Sequence, residues 1–452
     1  MSINYLRKKT GFIILVIGIF SGNFLYAQQD SDVSLKEAVD TTNRNVENLR
    51  TEFGLLKKLK ISGYIQPQFQ WADTAGAPTI AAGGPFPKNT DTRFAVRRGR
   101  IKVAYTGEFS QFVIQIDATE RGVTLKDAYL SVTDPWLQTF TLTGGVFNRP
   151  FGYEIAYSSS LRESPERARI TQTLFPGERD LGAMLTIQPR KESRYNFIKL
   201  DLGLIAGNGI APEIDTRKDF LAHLTINRTT RNEKFKYGLG FSYYNGGYFQ
   251  ETKKVWDMAT LADGMTQGYT VDSTETNKGA FAKREYFGAE AQFSVDWFPG
   301  ITTLRGEYLW GMQPGKSNLN ISPYNRNILD DDKGPYDTYN RPFSGGYVYL
   351  VQNIGMSRHS FVIKFDWFDP NTDVKGDELK SSVTIDENTV NTNLSGADVM
   401  YTTWGFGYNL RVTANVKLMV YYDLVKNETT GMKNYTKDVK DNVLTIRLQF
   451  KF

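Results

Sequence analysis

The sequence predicts an all-β chain: a sixteen-stranded antiparallel transmembrane β-barrel, preceded by a short N-terminal helical coiled-coil segment. Three observations predict it. Apolar and polar residues alternate with period two in sixteen stretches. Most of these run about 9–12 residues, the length a tilted strand needs to cross a bilayer and beyond the soluble mean of about 5–6. The connections alternate between tight turns and long loops, as in barrels whose two rims face different compartments. The last strand alternates cleanly up to a terminal Phe452, a familiar mark of transmembrane barrels.

Composition narrows the alternatives. The chain has 452 residues, is 13% aromatic, carries 40 Gly and has no Cys. Its polar mean hydropathy excludes long apolar helices as the main architecture. Without Cys there is no disulfide framework, thiolate metal site or Cys nucleophile. His223 and His359 are the only imidazoles, and neither sits in a recognisable Ser or acid motif. The sequence therefore points to no enzyme, no cofactor and no metal site.

The elements follow in order. Arg7, Lys8 and Lys9 precede the apolar run 11–20, which leads to a small residue at Ala27. That apolar core is about half the ~20 residues of a spanning helix, so residues 1–27 read as a signal peptide. Cleavage there removes three basic groups and no acid, which lowers the formal charge from +5 to +2. Residues 28–59 carry apolar or small residues at alternating spacings of four and three: Leu35, Val39, Thr42, Val46, Leu49, Phe53 and Leu56. That is a coiled-coil seam, expected to be periplasmic, and too short to be stable without partner copies. A single amphipathic helix is the plainer alternative.

From residue 60 to 452 the period is two, and a barrel in lipid must close, giving each strand a lipid face and a lumen face. The stretch RFAVRRGRIK (93–102) is the test case, with five basic residues and no acid. A basic residue facing lipid at mid-depth costs about 2–4 kcal/mol. Ile101, Val103 and Tyr105 are therefore expected outside, and Arg98, Arg100 and Lys102 inside. Arg97 is expected at the rim, with its head group snorkelling to the interface. The same alternation places Gln111, Gln115, Asp117, Asp127, Tyr129, Ser131, His223, Thr225, Lys364, Asp366, Lys417, Tyr421, Arg447 and Lys451 inside. Such a polar lumen of mixed sign favours water over a packed core, and sixteen strands make a circumference wide enough for a channel. The third long connection, 148–180, is long enough to fold inward. It offers Arg149, Arg162, Arg167, Arg169, Glu163 and Glu166 as constriction candidates, five basic residues in all against five acids.

RRGRIKVAYTGEF, LKDAYLSV and GGVFNRPFGYE, with the long Arg-containing loop behind them, resemble the phosphate-selective porin O and P family. The resemblance covers most of the chain after residue 60. It implies a homotrimeric porin in the bacterial outer membrane, with its third loop folded inward and basic lumen residues selecting anions such as phosphate. Arg98, Arg100 and Lys102 would belong to the basic wall, and Arg162, Arg167 and Arg169 to the constriction. No basic ladder across several neighbouring strands is identifiable, and the loop carries as many acids as bases, so phosphate selectivity does not follow from the residues themselves. The partners expected are small anions or other small hydrophilic solutes and outer-membrane lipid, with no nucleic acid. A substrate-specific channel for sugars or peptides, with Asp127 and Tyr129 lining the path, is the main alternative; a purely structural barrel is another.

Overall fold

The computed structural model describes residues 39–48, 54, 57–80, 83–213, 215–320 and 335–452. It divides into two units, Met1–Lys58 and Leu59–Phe452. In the first, residues 39–48 are helical, with the seam residues Val39 and Val46 exposed. The expected signal peptide and the seam positions Leu35, Leu49, Phe53 and Leu56 lie outside the described residues.

The second unit is the barrel. In chain order its strands begin with β1 (Leu59–Ala72), β2 (Thr92–Thr106), β3 (Ser110–Thr119), β4 (Gly122–Thr133) and β5 (Phe140–Asn148). They continue with β6 (Arg179–Ile187), β7 (Ile198–Ile205), β8 (Asp219–Thr229), β9 (Phe235–Phe249), β10 (Val255–Thr260) and β11 (Gln267–Asp272). Next come β12 (Phe281–Trp297), β13 (Gly300–Gly315), β14 (Thr338–Asn353), β15 (His359–Asp369), β16 (Ser382–Ile385) and β17 (Asn388–Asn391). The last are β18 (Tyr401–Arg411), β19 (Val416–Asn427) and β20 (Val443–Lys451). Sixteen of these strands pair antiparallel in sequence order, and β1 closes the ring against β20 through pairs such as Phe69 with Ile446. All sixteen predicted strands are present. The sequence reading did not resolve two short hairpins inside the long connections, β10–β11 and β16–β17.

The hairpin β10–β11 lies beside the wall, where Val255 and Trp256 pair parallel with Thr338 and Tyr339 of β14. Tyr269, Tyr339, Val374, Leu379, Leu394, Val399 and Met432 form a small core around it. A buried Arg341–Asp398 ion pair (2.8 Å) crosses the same region, with Asn371 and Tyr269 also donating to Asp398. The long loops on this rim are thus a built cap. The opposite rim is made mostly of short turns, with the longer 188–197 connection between β6 and β7. In the turn after β4, Asp134 accepts backbone N–H bonds from Phe140, Thr139, Leu137 and Gln138, which hold its carboxyl down at about 2.

Alternation sets the two faces. Ile61, Ile65, Leu142, Phe241, Ile363 and Phe406 are exposed on the outside, while Gln66, Gln68, Gln70 and Arg447 are buried inside. Trp71, Trp136, Trp297 and Phe298 stand exposed near strand ends, as interfacial aromatics do.

The alternation breaks at two bulges. Between β1 and β2 the register jumps from the pair Gln66–Arg98 to the pair Pro67–Val96, which leaves Arg97 as the extra residue. Between β3 and β4 it jumps from Gln115–Asp127 to Ile116–Leu125, which leaves Lys126 extra. An inserted residue flips the facing of everything beyond it. Phe94 accordingly lies on the outside, 85% exposed. Arg97 turns inward beside Arg98, and this corrects the expected snorkelling position at the rim.

Replacing Ile363, which is exposed at the middle of β15, with Arg places a charge on the face assigned to lipid. The folded barrel should lose about 2–4 kcal/mol in urea titrations in liposomes. A loss below about 1 kcal/mol would show that this face does not meet hydrocarbon.

Candidate functional site

The third long connection, 149–178, occupies the lumen and is bonded to opposite walls. It leaves β5 at Arg149, whose guanidinium pairs with Asp180 at 2.8 Å in a buried contact. At Gly152 the backbone has φ 61° and passes so close to Glu307 that a Cβ would lie 1.7 Å from Oε1, so only glycine fits. The Gly152 N–H donates to Ser242 of β9, which fixes the loop on that wall.

The chain then crosses. Ser159 meets Tyr64 and Gln66 of β1, and Gln449 of β20 donates to the Ser160 carbonyl at 3.1 Å. Lys417 of β19 donates to the Arg162 carbonyl at 3.0 Å. Glu163 turns back to form an ion pair with Arg305 of β13, and Ser164 bonds Tyr349 of β14. The helix Arg169–Leu174 runs against β15, where Asp366 accepts the Arg169 N–H.

Glu166 is the point where three guanidiniums converge. Arg97 approaches Oε1 at 2.7 Å and Oε2 at 2.9 Å, Arg98 reaches Oε2 at 2.7 Å, and Arg447 reaches Oε1 at 3.2 Å. Arg447 also donates to the Pro165 carbonyl at 2.8 Å. Burial alone would raise the Glu166 carboxyl, but Arg97, Arg98 and Arg447 outweigh it and hold the group well below the usual range. Glu178 is half-buried, and against the opposing effect of desolvation Arg167 and Arg179 hold its carboxyl low.

The other face of the loop is apolar. Phe151, Ile155, Ala168, Ile170, Leu174 and Phe175 are at most 2% exposed. They pack on lumen-facing Leu221, Tyr244, Tyr286, Phe343, Tyr347, Tyr349 and Phe368. At about 1.5–3 kcal/mol for each large side chain buried, this apolar face is a substantial part of what holds the loop. Part of the lumen is therefore a packed core, where the mixed polar sequence pattern predicted water alone. Mid-strand tyrosines explain the difference, because they read as polar in an alternation count yet bury a large ring.

The predicted residues are distributed through this arrangement as follows. Arg100 pairs with Asp117 at 3.1 Å, and Asp127 with Arg179 at 3.0 Å. Tyr129 packs against the apolar cluster. Lys102 faces inward without an ion-pair partner among the described residues. Arg167 braces the loop internally, donating to the Glu154 and Ile155 carbonyls. Arg169 stacks on Tyr401 at 3.8 Å. Arg162 is 1% exposed, and none of its guanidinium nitrogens has a hydrogen-bond partner among the described residues.

No family model matches the chain, and no curated protein matches it. Solved structures do match. The chain is similar to OprB of Pseudomonas putida, with a TM-score of 0.55 and 11% identity, covering 89% of this chain and 96% of that one. It is also similar to an anion-selective porin from Comamonas acidovorans, with a TM-score of 0.50 and 10% identity, covering 87% and 99%. The likeness is one of fold.

Arg97 and Lys126 are two inward cations that a regular alternation does not bring in. A bulge has no reliable signature in a single strand, because it depends on how the partner strand is registered. The proline at position 67, opposite the first bulge, is the one local hint.

Glu166→Gln removes the only carboxylate that the three guanidiniums share. Its unfolding free energy in urea should fall by about 3–5 kcal/mol, because buried positive charges are left without a counter-charge. A carboxyl with a depressed folded pKa contributes stability that is present above its unfolded value and is lost only as pH falls through the folded one. The gap between wild type and Glu166→Gln should therefore persist from about pH 7 to about pH 5 and close only below ~4.3. A gap that has vanished by about pH 5 would show that the guanidiniums do not hold the carboxylate.

Proposed function

We propose that this protein is a bacterial outer-membrane porin, a water-filled channel for passive diffusion of small hydrophilic solutes that prefers anions. The inward-folded third loop serves as its constriction. The observation that carries this reading is the charge balance on the wall formed by β2, β3 and β4. Every carboxylate there or facing it is engaged by a guanidinium: Asp117 by Arg100, Asp127 by Arg179, Glu166 by three arginines and Glu178 by two. Lys102 and Lys126 face the same space with no ion pair among the described residues. The wall thus carries uncompensated positive charge into a region bounded by low-dielectric protein and lipid, where such charge acts at longer range than in bulk water.

Arg98 and Arg100 contribute differently in this reading. Both are paired, so they shape the wall and its field, while the lysines stay available to a passing ion. Phosphate, to which the resemblance points, is one anion such a wall would favour. The exposed seam residues Val39 and Val46 support a trimer held by a periplasmic helical segment.

Purified protein in planar bilayers should show stepwise conductance, and a KCl gradient should give a reversal potential of the sign set by chloride. Lys102→Glu should move that potential toward potassium. An absence of steps would refute the open channel, and a potassium-signed potential in the wild type would refute the anion preference. Deleting 30–58 should make the assembly more easily dissociated in detergent, and an unchanged trimer would remove that segment from the reading.

A further inference from the structure

The segment that crosses the lumen is held from one side. Residues 153–174 bond to β1 and β2 through Ser159 and Glu166, to β12 through the Leu174 carbonyl, and to β13 and β14 through Glu163 and Ser164. They bond to β15 at the Arg169 N–H, to β18 and β19 at the Glu163 and Arg162 carbonyls, and to β20 at the Ser160 carbonyl. Among the described residues, no hydrogen bond of this segment reaches β3 to β8. On that side the apolar cluster extends down to Tyr129 and Met184, and below them the lumen face becomes a row of hydroxyls. Ser131 and Thr143 are bonded at 2.8 Å across β4 and β5, Thr133 and Thr141 at 2.9 Å, and Thr186 of β6 donates to Asp201 of β7 at 2.6 Å. Ser131, Thr186 and, on β8, Thr225 are partly exposed. At similar depth on the far wall, Val351, Val362, Met419 and Gln449 are at most 6% exposed.

We propose that the open path through this barrel is eccentric and runs down the β4–β8 wall past this row of hydroxyls. The inference rests on the channel reading and adds to it the residues that line the path below the loop. The loop and its apolar cluster occupy the lumen against β12 to β19, so the remaining space lies against β4 to β8. A hydroxyl both donates and accepts, so such a row solvates an ion or a polar solute of either sign. Selection by charge therefore falls to Lys102 and Lys126 on the wall above, and the hydroxyl row sets the width open to a solute.

The chain has no Cys, so each Cys variant carries a single thiol. Ser131→Cys, Thr186→Cys and Thr225→Cys are compared with Val351→Cys and Met419→Cys, before and after a water-soluble methanethiosulfonate that bears a sulfonate. Each should conduct like wild type before the reagent, which shows an intact fold; where one does not, Thr141→Cys or Val362→Cys takes its place. The thiols on the hydroxyl wall should be modified about tenfold faster than those on the far wall, because a covered thiol reacts when its surroundings open. Their modification should lower the conductance in planar bilayers, and modification of the far thiols should leave it unchanged. Equal rates on the two walls, or modification at Ser131, Thr186 and Thr225 that leaves an existing conductance unchanged, would overturn the eccentric path. The rates are also read as mass added to the protein in liposomes, with no current needed. A barrel that does not conduct therefore refutes the channel reading while the labelling still decides which wall faces water.

Discussion

The arrangement of this barrel's interior depends on one carboxylate. Glu166 stands where Arg97, Arg98 and Arg447 would otherwise face one another across the β1–β2–β20 seam. Each of those guanidiniums is tied to a strand and Glu166 to a loop, so the contact joins the closing seam of the barrel to the segment that crosses its lumen. Removing a charge from water is costly, and the cost is met here because opposite charges arrive together with correct hydrogen-bond geometry. The loop's other face is held by a different force, the burial of phenylalanine and aliphatic side chains on a tyrosine-lined wall. A segment held ionically on one side and apolarly on the other has little freedom to swing aside.

The bulges give this charge pattern its form. A regular strand sends alternate residues inward, so two neighbouring basic residues cannot both reach the lumen. The extra residue on β2 lets Arg97 join Arg98 at Glu166. The extra residue on β4 brings Lys126 in beside Asp127. In both places the local charge density rises above what pleating permits. One of the added cations is consumed in holding the loop, and the other is left facing a cavity.

A large share of this was legible in the chain. Sixteen strands, their lipid and lumen faces and the inward-folded loop follow from period-two patterning and loop length. The reason is physical: hydrocarbon on one side and water on the other punish every misplaced residue independently, so the pattern accumulates along each strand. The loop was harder. Its five basic and five acidic residues are nearly balanced in the sequence, and only contacts distant in the chain decide which are spent. Glu166 meets strand residues 68, 69 and 281 positions away. Arg149 and Arg167 act as braces within the loop region, while Arg162 stays without hydrogen bonds among the described residues. Nothing local distinguishes these three arginines.

RFAVRRGRIK shows where the boundary falls. By itself the sequence determined that the segment is a strand, that Ile101 and Val103 face outward, and that Arg98 and Arg100 face inward, because solvation acts residue by residue. The tertiary structure alone decided that Arg97 also turns inward, that Phe94 turns out, and that three of the five basic residues are paired, Arg97 and Arg98 with Glu166 and Arg100 with Asp117. Register between strands and the path of a distant loop are collective properties. They are set by the pairing of whole segments, which no single stretch of residues encodes.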